Sequence, residues 1–237
     1  NCLIDGGISK QKLKDYLVEY EIKTLDLVIG THPDSDHING LLGAEDFINS
    51  GSTYWAPPLP AFQRHQWLYG SRCKGAMDRC EQVEKIFNQK GATILYPVEG
   101  FSSAPFLNAG PRMHVLSPAA KLIDYLFTKD DVDFLFTSDV MPLGWITQLP
   151  DDTNPDQAGD ITAMKNALLA GVLSPSDISD NLRTPIDARS DIEKHIEDWS
   201  KRTGEDPEFF GDSAFNNSSI VCWLELPIGN KNYRILL

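Results

Sequence analysis

Between residues 32 and 37 the chain reads His-Pro-Asp-Ser-Asp-His, which places His32, Asp34, Asp36 and His37 within six positions. Imidazole and carboxylate donors together suit zinc, manganese or iron, and closely spaced residues at a strand end can converge on one or two ions. Two plainer explanations compete. Asp and Ser around a proline are ordinary turn residues, and an Asp ahead of a helix is an ordinary N-cap. These account for one or two of the carboxylates. They do not account for two histidines as well, in a chain that has five. Metal binding is the leading interpretation of the stretch.

The flanking residues say how these side chains are carried. Leu25, Leu27 and Ile29 alternate with Asp26 and Val28, so a strand is predicted to run into Gly30 and Thr31. Beyond Gly40, the residues Leu41, Leu42, Phe47 and Ile48 recur at helical spacing, so a helix is predicted there. Residues 1–7 read as a strand ending in a glycine turn. Residues 9–21 read as a helix capped by Ser9, with Leu13, Tyr16, Leu17 and Tyr20 as its apolar stripe. Strand, helix and strand, with a donor-rich loop at the carboxyl end of the second strand, make a layered α/β arrangement.

The motif resembles the first metal-binding motif of the metallo-β-lactamase fold, His-x-His-x-Asp-His after a strand. His32, Asp36 and His37 match, and Asn39-Gly40 stand where the family usually has two glycines. Asp34 departs from the pattern, standing where the family most often has its second histidine. The spelling His-Pro-Asp-x-Asp-His is similar to the branch that includes the hydrolase domain of bacterial competence (DNA-uptake) proteins. The resemblance implies a four-layer αββα sandwich, incomplete in this chain, with a helical insertion. Residues 1–118 would carry the first metal motif, residues 119–212 the insertion or subdomain, and residues 213–237 a hairpin returning to the same domain. It also implies that Asp5, in Ile-Asp-Gly-Gly, supports the metal-binding loops. The plain alternative for Asp5 is a polar turn residue at a strand end.

Two places compete for the aspartate that bridges two metals in this fold. Residues 132–140, Val-Asp-Phe-Leu-Phe-Thr-Ser-Asp-Val, resemble the strand that supplies it, which would make Asp139 a ligand. Residues 216–226 and 232–237 look like the Asn-rich turn and hairpin of competence-like members, whose second strand runs into Thr-Gly-Asp. The sequence opens on Asn1 and stops in mid-strand at Leu237, so the chain is expected to be a fragment. The hairpin match covers more positions than the Asp139 match, which favours a bridging aspartate beyond Leu237. His114 lies in a predicted strand, 112–116, at a separation from His32 where many members place a third metal histidine. A lone histidine in a strand is more often packed or hydrogen-bonded.

The remaining segments carry less chemistry. Residues 52–55 and 93–96 read as strands, and residues 77–89 as a helix closed by Gly91. Residues 59–74 are aromatic and basic without a clean period, as in a loop packed on the domain surface or lying over a site; His65 within it has no assigned role. In residues 119–212 the helix-like pieces are 122–127, 161–173 and 192–201, and His195 falls on a charged, exposed helix face.

Composition bounds the partners. A formal charge of -13 in 237 residues argues against a general basic surface for nucleic acid, although bound divalent ions reverse the field locally. No run of about eighteen apolar residues marks a membrane span. The four cysteines form no Cys-x-x-Cys pair, so a reducing cytoplasm is expected. Cys80 and Cys222 read as core, and Cys73, beside Arg72 and Lys74, as an incidental surface thiol.

Together these features predict a metal-dependent hydrolase. The resemblance implies one or two divalent ions, zinc first and manganese second, held by His32, Asp34, Asp36, His37 and Asp139. Asp36 would also serve the catalytic step. Asp34 adds a harder ligand that favours manganese or magnesium. Alternatively it is no ligand, and one ion binds through Asp36 and His37. A nucleotide or nucleic-acid phosphodiester is the leading substrate, ahead of esters and lactones. The other classes are a non-catalytic binding or regulatory domain with a degraded site and, as a minor option, a di-iron redox protein.

Overall fold

The computed structural model describes residues 1–64, 69–103, 110–128 and 212–237, with residues 197, 200, 201, 204 and 206–209. A four-stranded parallel sheet has the order β1 (Cys2–Ile4), β2 (Leu27–Ile29), β3 (Thr53–Trp55) and β4 (Thr93–Leu95). Helical segments connect each strand to the next, as parallel neighbours require. They are α1 (Lys10–Glu19), then α2 (Ser35–Ile38) with two 3-10 turns, then α3 (Leu59–Arg64) and α4 (Ser71–Gln89).

A separate antiparallel sheet joins β5 (Arg112–Ser117), β6 (Val221–Ile228) and β7 (Lys231–Leu236). The two sheets and the helices are layered. Val28 of β2 packs into the larger core with residues of α1 and α4, whereas Leu27 and Ile29 pack with Met113, Val115 and Cys222 of the antiparallel sheet. All three residues of β2 are buried, as a strand covered on both faces must be. The protein is α/β; the described residues form one parallel and one antiparallel sheet. Among the described residues, no helix is long and apolar enough to cross a membrane.

Ser9 caps α1 by accepting from the Lys12 amide at 3.3 Å. The buried stripe of α1 is narrower than its periodicity predicts. Leu13 and Leu17 are buried, but Tyr16 and Tyr20 stand out and pack on each other, ring centroids 4.4 Å apart. The two half-exposed rings cover one another's apolar faces.

Three local readings are corrected. The segment beyond Gly40 is not a regular helix: 3-10 turns at Asn39–Gly43 and Glu45–Phe47 follow α2. A Cβ on Gly40 would lie 1.8 Å from the Gly6 carbonyl oxygen, so this backbone follows its neighbour rather than helix periodicity. Residues 59–74 are not a surface loop throughout. Part of that stretch forms α3 and the start of α4, and Phe62 and Tyr69 are fully buried against Phe215. Cys73 is not a surface thiol: α4 starts earlier than its apolar pattern suggests and carries Cys73 on the buried face with Met77 and Cys80.

The Asn-rich segment before β6 is helical, α6 (Asp212–Asn217), after a helix α5 at Ala120–Thr128. Leu122, Ile123 and Leu126 of α5 belong to the larger core. At the end of α6 the Ile220 amide donates to the Thr31 carbonyl at 2.8 Å, which docks the start of β6 on the donor-rich loop.

Candidate metal centre

The centre is built where two strand ends meet. Asp5 follows β1 with φ +55, a left-handed conformation that Asp tolerates better than most residues. Backbone bonds strap this turn to α2 and the residues after it: the Gly6 amide donates to the His37 carbonyl and the Gly40 amide to the Gly7 carbonyl, both at 2.7 Å. A Cβ on Gly6 would come within 2.3 Å of the Leu41 nitrogen, so the close approach depends on glycine on both sides. The Asp5 carboxylate is thereby held under the loop that leaves β2.

Asp5 Oδ1 accepts from the Thr31 amide and Oδ2 from the Thr31 hydroxyl, each at 2.8 Å. Oδ2 also lies 2.7 Å from His37 Nδ1. A carboxylate can only accept, so His37 carries its proton on Nδ1 and presents a lone pair at Nε2. The Thr31 hydroxyl uses its hydrogen to donate to Asp5, and its oxygen lies 3.0 Å from His32 Nδ1. His32 must therefore donate from Nδ1, and its Nε2 faces Asp34. The two rings sit side by side, centroids 3.9 Å apart and tilted by 48°. One carboxylate and one hydroxyl thus engage Nδ1 of both imidazoles and leave each Nε2 toward an acid of the loop.

The two remaining carboxylates lie beside those nitrogens. Asp34 occupies the N-cap position of α2 but makes no side-chain cap; its Oδ2 lies 3.6 Å from His32 Nε2. Asp36 Oδ2 lies 3.7 Å from His37 Nε2 and is mostly exposed. Burial pulls the His32 pKa down, but Asp34, helped by Asp5 and Asp36, outweighs it and the net shift is upward. The same His32 contact holds Asp34 below the ordinary carboxylate range against the opposing effect of burial.

His32, Asp34, Asp36, His37 and Asp5 are therefore brought together. His114 is placed elsewhere, on β5, where Ser102 and Glu225 engage its two ring nitrogens. Asp139, His65 and His195 lie outside the described residues. Among the described residues, no three His, Cys, Asp or Glu side chains converge closely enough to hold one ion. Each histidine is paired instead with its own acidic neighbour. Sequence reasoning misses Thr31, whose hydroxyl joins Asp5 to both histidines. Its position directly before His32 at a strand exit is the available signal. Comparison with protein-family models, with curated proteins and with solved structures finds no match.

Proposed function

We propose that the protein is a metal-dependent hydrolase of phosphodiesters, with a four-layer metallo-β-lactamase-type fold and a centre built on His32, Asp34, Asp36 and His37. The observation that carries this is the Asp5–His37 contact of 2.7 Å, a carboxylate–imidazole pair of the kind that orients a metal-binding histidine. The donor types suit a divalent ion, two imidazoles and two carboxylates on one short loop, zinc first and manganese second, and binding would need them to turn from their present pairwise contacts onto one point. One or two ions are proposed for the loop, with Asp139 as a candidate bridging ligand. A divalent ion bound there supplies Lewis-acid chemistry, activating water for attack and polarising a phosphoryl oxygen.

The residues of the chain would do the rest. Asp5 and Thr31 orient the rings, and Asp36, the most exposed of the acids, would take a proton from the attacking water. Phosphodiesters rank ahead of esters and lactones because of the resemblance to competence-like hydrolases. A nucleotide or single-stranded nucleic acid suits a local positive centre on a chain of charge -13 better than long duplex does.

The test is hydrolysis of bis(p-nitrophenyl) phosphate with zinc or manganese. His37→Ala and Asp36→Ala should each abolish turnover, and unchanged turnover in both would refute the proposal. The second reading, a non-catalytic binding or regulatory domain, is favoured by the His32–Asp34 pairing where a histidine is usual. It expects metal content near zero in the purified protein.

A further inference from the structure

A second group of chemistry-bearing side chains lies on the antiparallel sheet. Ser102 forms an antiparallel bridge with His114, and His114 pairs in register with Trp223 of β6. Met113, Val115 and Cys222 point into the core, so His114, Trp223 and Glu225 lie on the opposite face. Ser102 is exposed, and its Oγ lies 2.8 Å from His114 Nδ1. The other ring nitrogen, Nε2, lies 3.2 Å from Glu225 Oε2, and Asn232 donates to Glu225 Oε1 at 3.1 Å. The imidazole is stacked on the Trp223 indole, centroids 4.0 Å apart and 11° from parallel.

The hydrogen-bond directions follow from the donors. Glu225 can only accept, so His114 keeps its proton on Nε2 and Nδ1 holds the lone pair that accepts the Ser102 hydroxyl proton. Hydroxyl, base and orienting carboxylate are thus linked in one chain, with the base locked by stacking. That is the set of roles by which an activated nucleophile is recognised, here with the two ring nitrogens exchanged relative to the usual serine triad.

We propose that Ser102, His114 and Glu225 form a nucleophilic site for acyl transfer from small activated esters, separate from the metal-competent loop. Ser102 Oγ attacks the acyl carbon while its proton passes to His114 Nδ1. The ester C–O bond breaks and the departing alcohol or phenol takes that proton. Water then attacks the acyl-serine through the same nitrogen, releasing the acid and restoring the hydroxyl. Glu225 is a positioning residue, stabilising the imidazolium at Nε2. The other charges on the patch are Arg112, in register with Glu225, and Arg234, whose guanidinium carbon lies 4.8 Å from the Trp223 ring centroid. Ile220 is bonded to Thr31; Trp223, with His114 opposite it, stands three positions further along and Glu225 five, which at about 3.4 Å per residue is roughly 10 Å and 17 Å from that anchor.

The test is acetylation of the protein by p-nitrophenyl acetate in EDTA, followed by peptide mass mapping. An acetyl group is expected on Ser102, forming about 100-fold faster than in His114→Gln. Ser102→Ala, a surface change, should lose the adduct while keeping the thermal melt. Glu225→Gln should shift the pH profile of acetylation rather than only scale it, because the charge opposite Nε2 is removed. An unmodified Ser102 with no p-nitrophenol release beyond that of Ser102→Ala, or a Ser102 acetylated equally fast in wild type and His114→Gln, overturns the proposal. Both readouts exclude metal, so failure of this site is distinguishable from failure of the phosphodiesterase.

Discussion

Asp5 Oδ2 lies 2.7 Å from His37 Nδ1, across 32 residues of sequence. The same oxygen receives the Thr31 hydroxyl, whose own oxygen faces His32. A residue with no direct place among the donors therefore sets the chemistry of both imidazoles. Asp5→Ala should lower metal affinity by about 10–100-fold while leaving every donor atom present. Competition titration with a chromogenic zinc chelator measures this, and wild-type affinity in the variant would remove Asp5 from the account.

Thr31→Val keeps the shape of the side chain and removes the hydroxyl. His32 Nδ1 then loses its acceptor and is free to turn or change tautomer. Metal affinity should fall by about tenfold, less than for Asp5→Ala because the Asp5–His37 contact survives. A double variant with Asp5→Ala should fall by less than the product of the two, since both act through one network. Strict additivity in the chelator titration would contradict the shared role.

Gly40 faces the Gly6 carbonyl so closely that a Cβ would lie 1.8 Å from its oxygen. Gly40→Ala must push apart the turn carrying Asp5 and the segment carrying His37. Urea unfolding should show a loss of about 2–3 kcal/mol, and metal affinity should drop along with it. An alanine variant as stable as wild type would mean that the strap between these segments is looser than described.

Glu84 is buried on α4, accepting from the Tyr96 hydroxyl at 3.0 Å, while its Oε1 has no partner among the described residues. Burial pushes its pKa up to about 8, against the opposing Tyr96 bond. The sign follows from proton counts. Between the unfolded carboxyl's ordinary range and about 8 the folded state holds a proton that the unfolded state has lost, so stability falls as pH rises through that window. Glu84→Gln should match wild type near pH 4 and exceed it at pH 9 by an amount on the order of 2–4 kcal/mol. Parallel melting curves at the two pH values for both proteins would rule this out.

Much of the candidate site is legible in the sequence because its residues are local. His32, Asp34, Asp36 and His37 follow one strand, and the alternation of Leu25, Leu27 and Ile29 is enough to mark that strand. Asp5 is reachable only through the Ile-Asp-Gly-Gly resemblance, since nothing in a single sequence states that residue 5 meets residue 37. Thr31 escapes because its importance lies in one hydroxyl direction, which composition and spacing do not encode. Tertiary contacts decide the rest. Cys73 and the Phe62 and Tyr69 rings read as surface because their segment lacks a clean period, yet Phe215, far along the chain, covers those two rings.

The most direct test of the central claim is the metal content of the purified protein after equilibration with zinc or manganese and removal of free ion, by elemental analysis. One to two ions per chain are expected in wild type, with a marked loss in His37→Ala and in Asp36→Ala. Content near zero in wild type, or content that neither substitution changes, would contradict a metal centre at this loop.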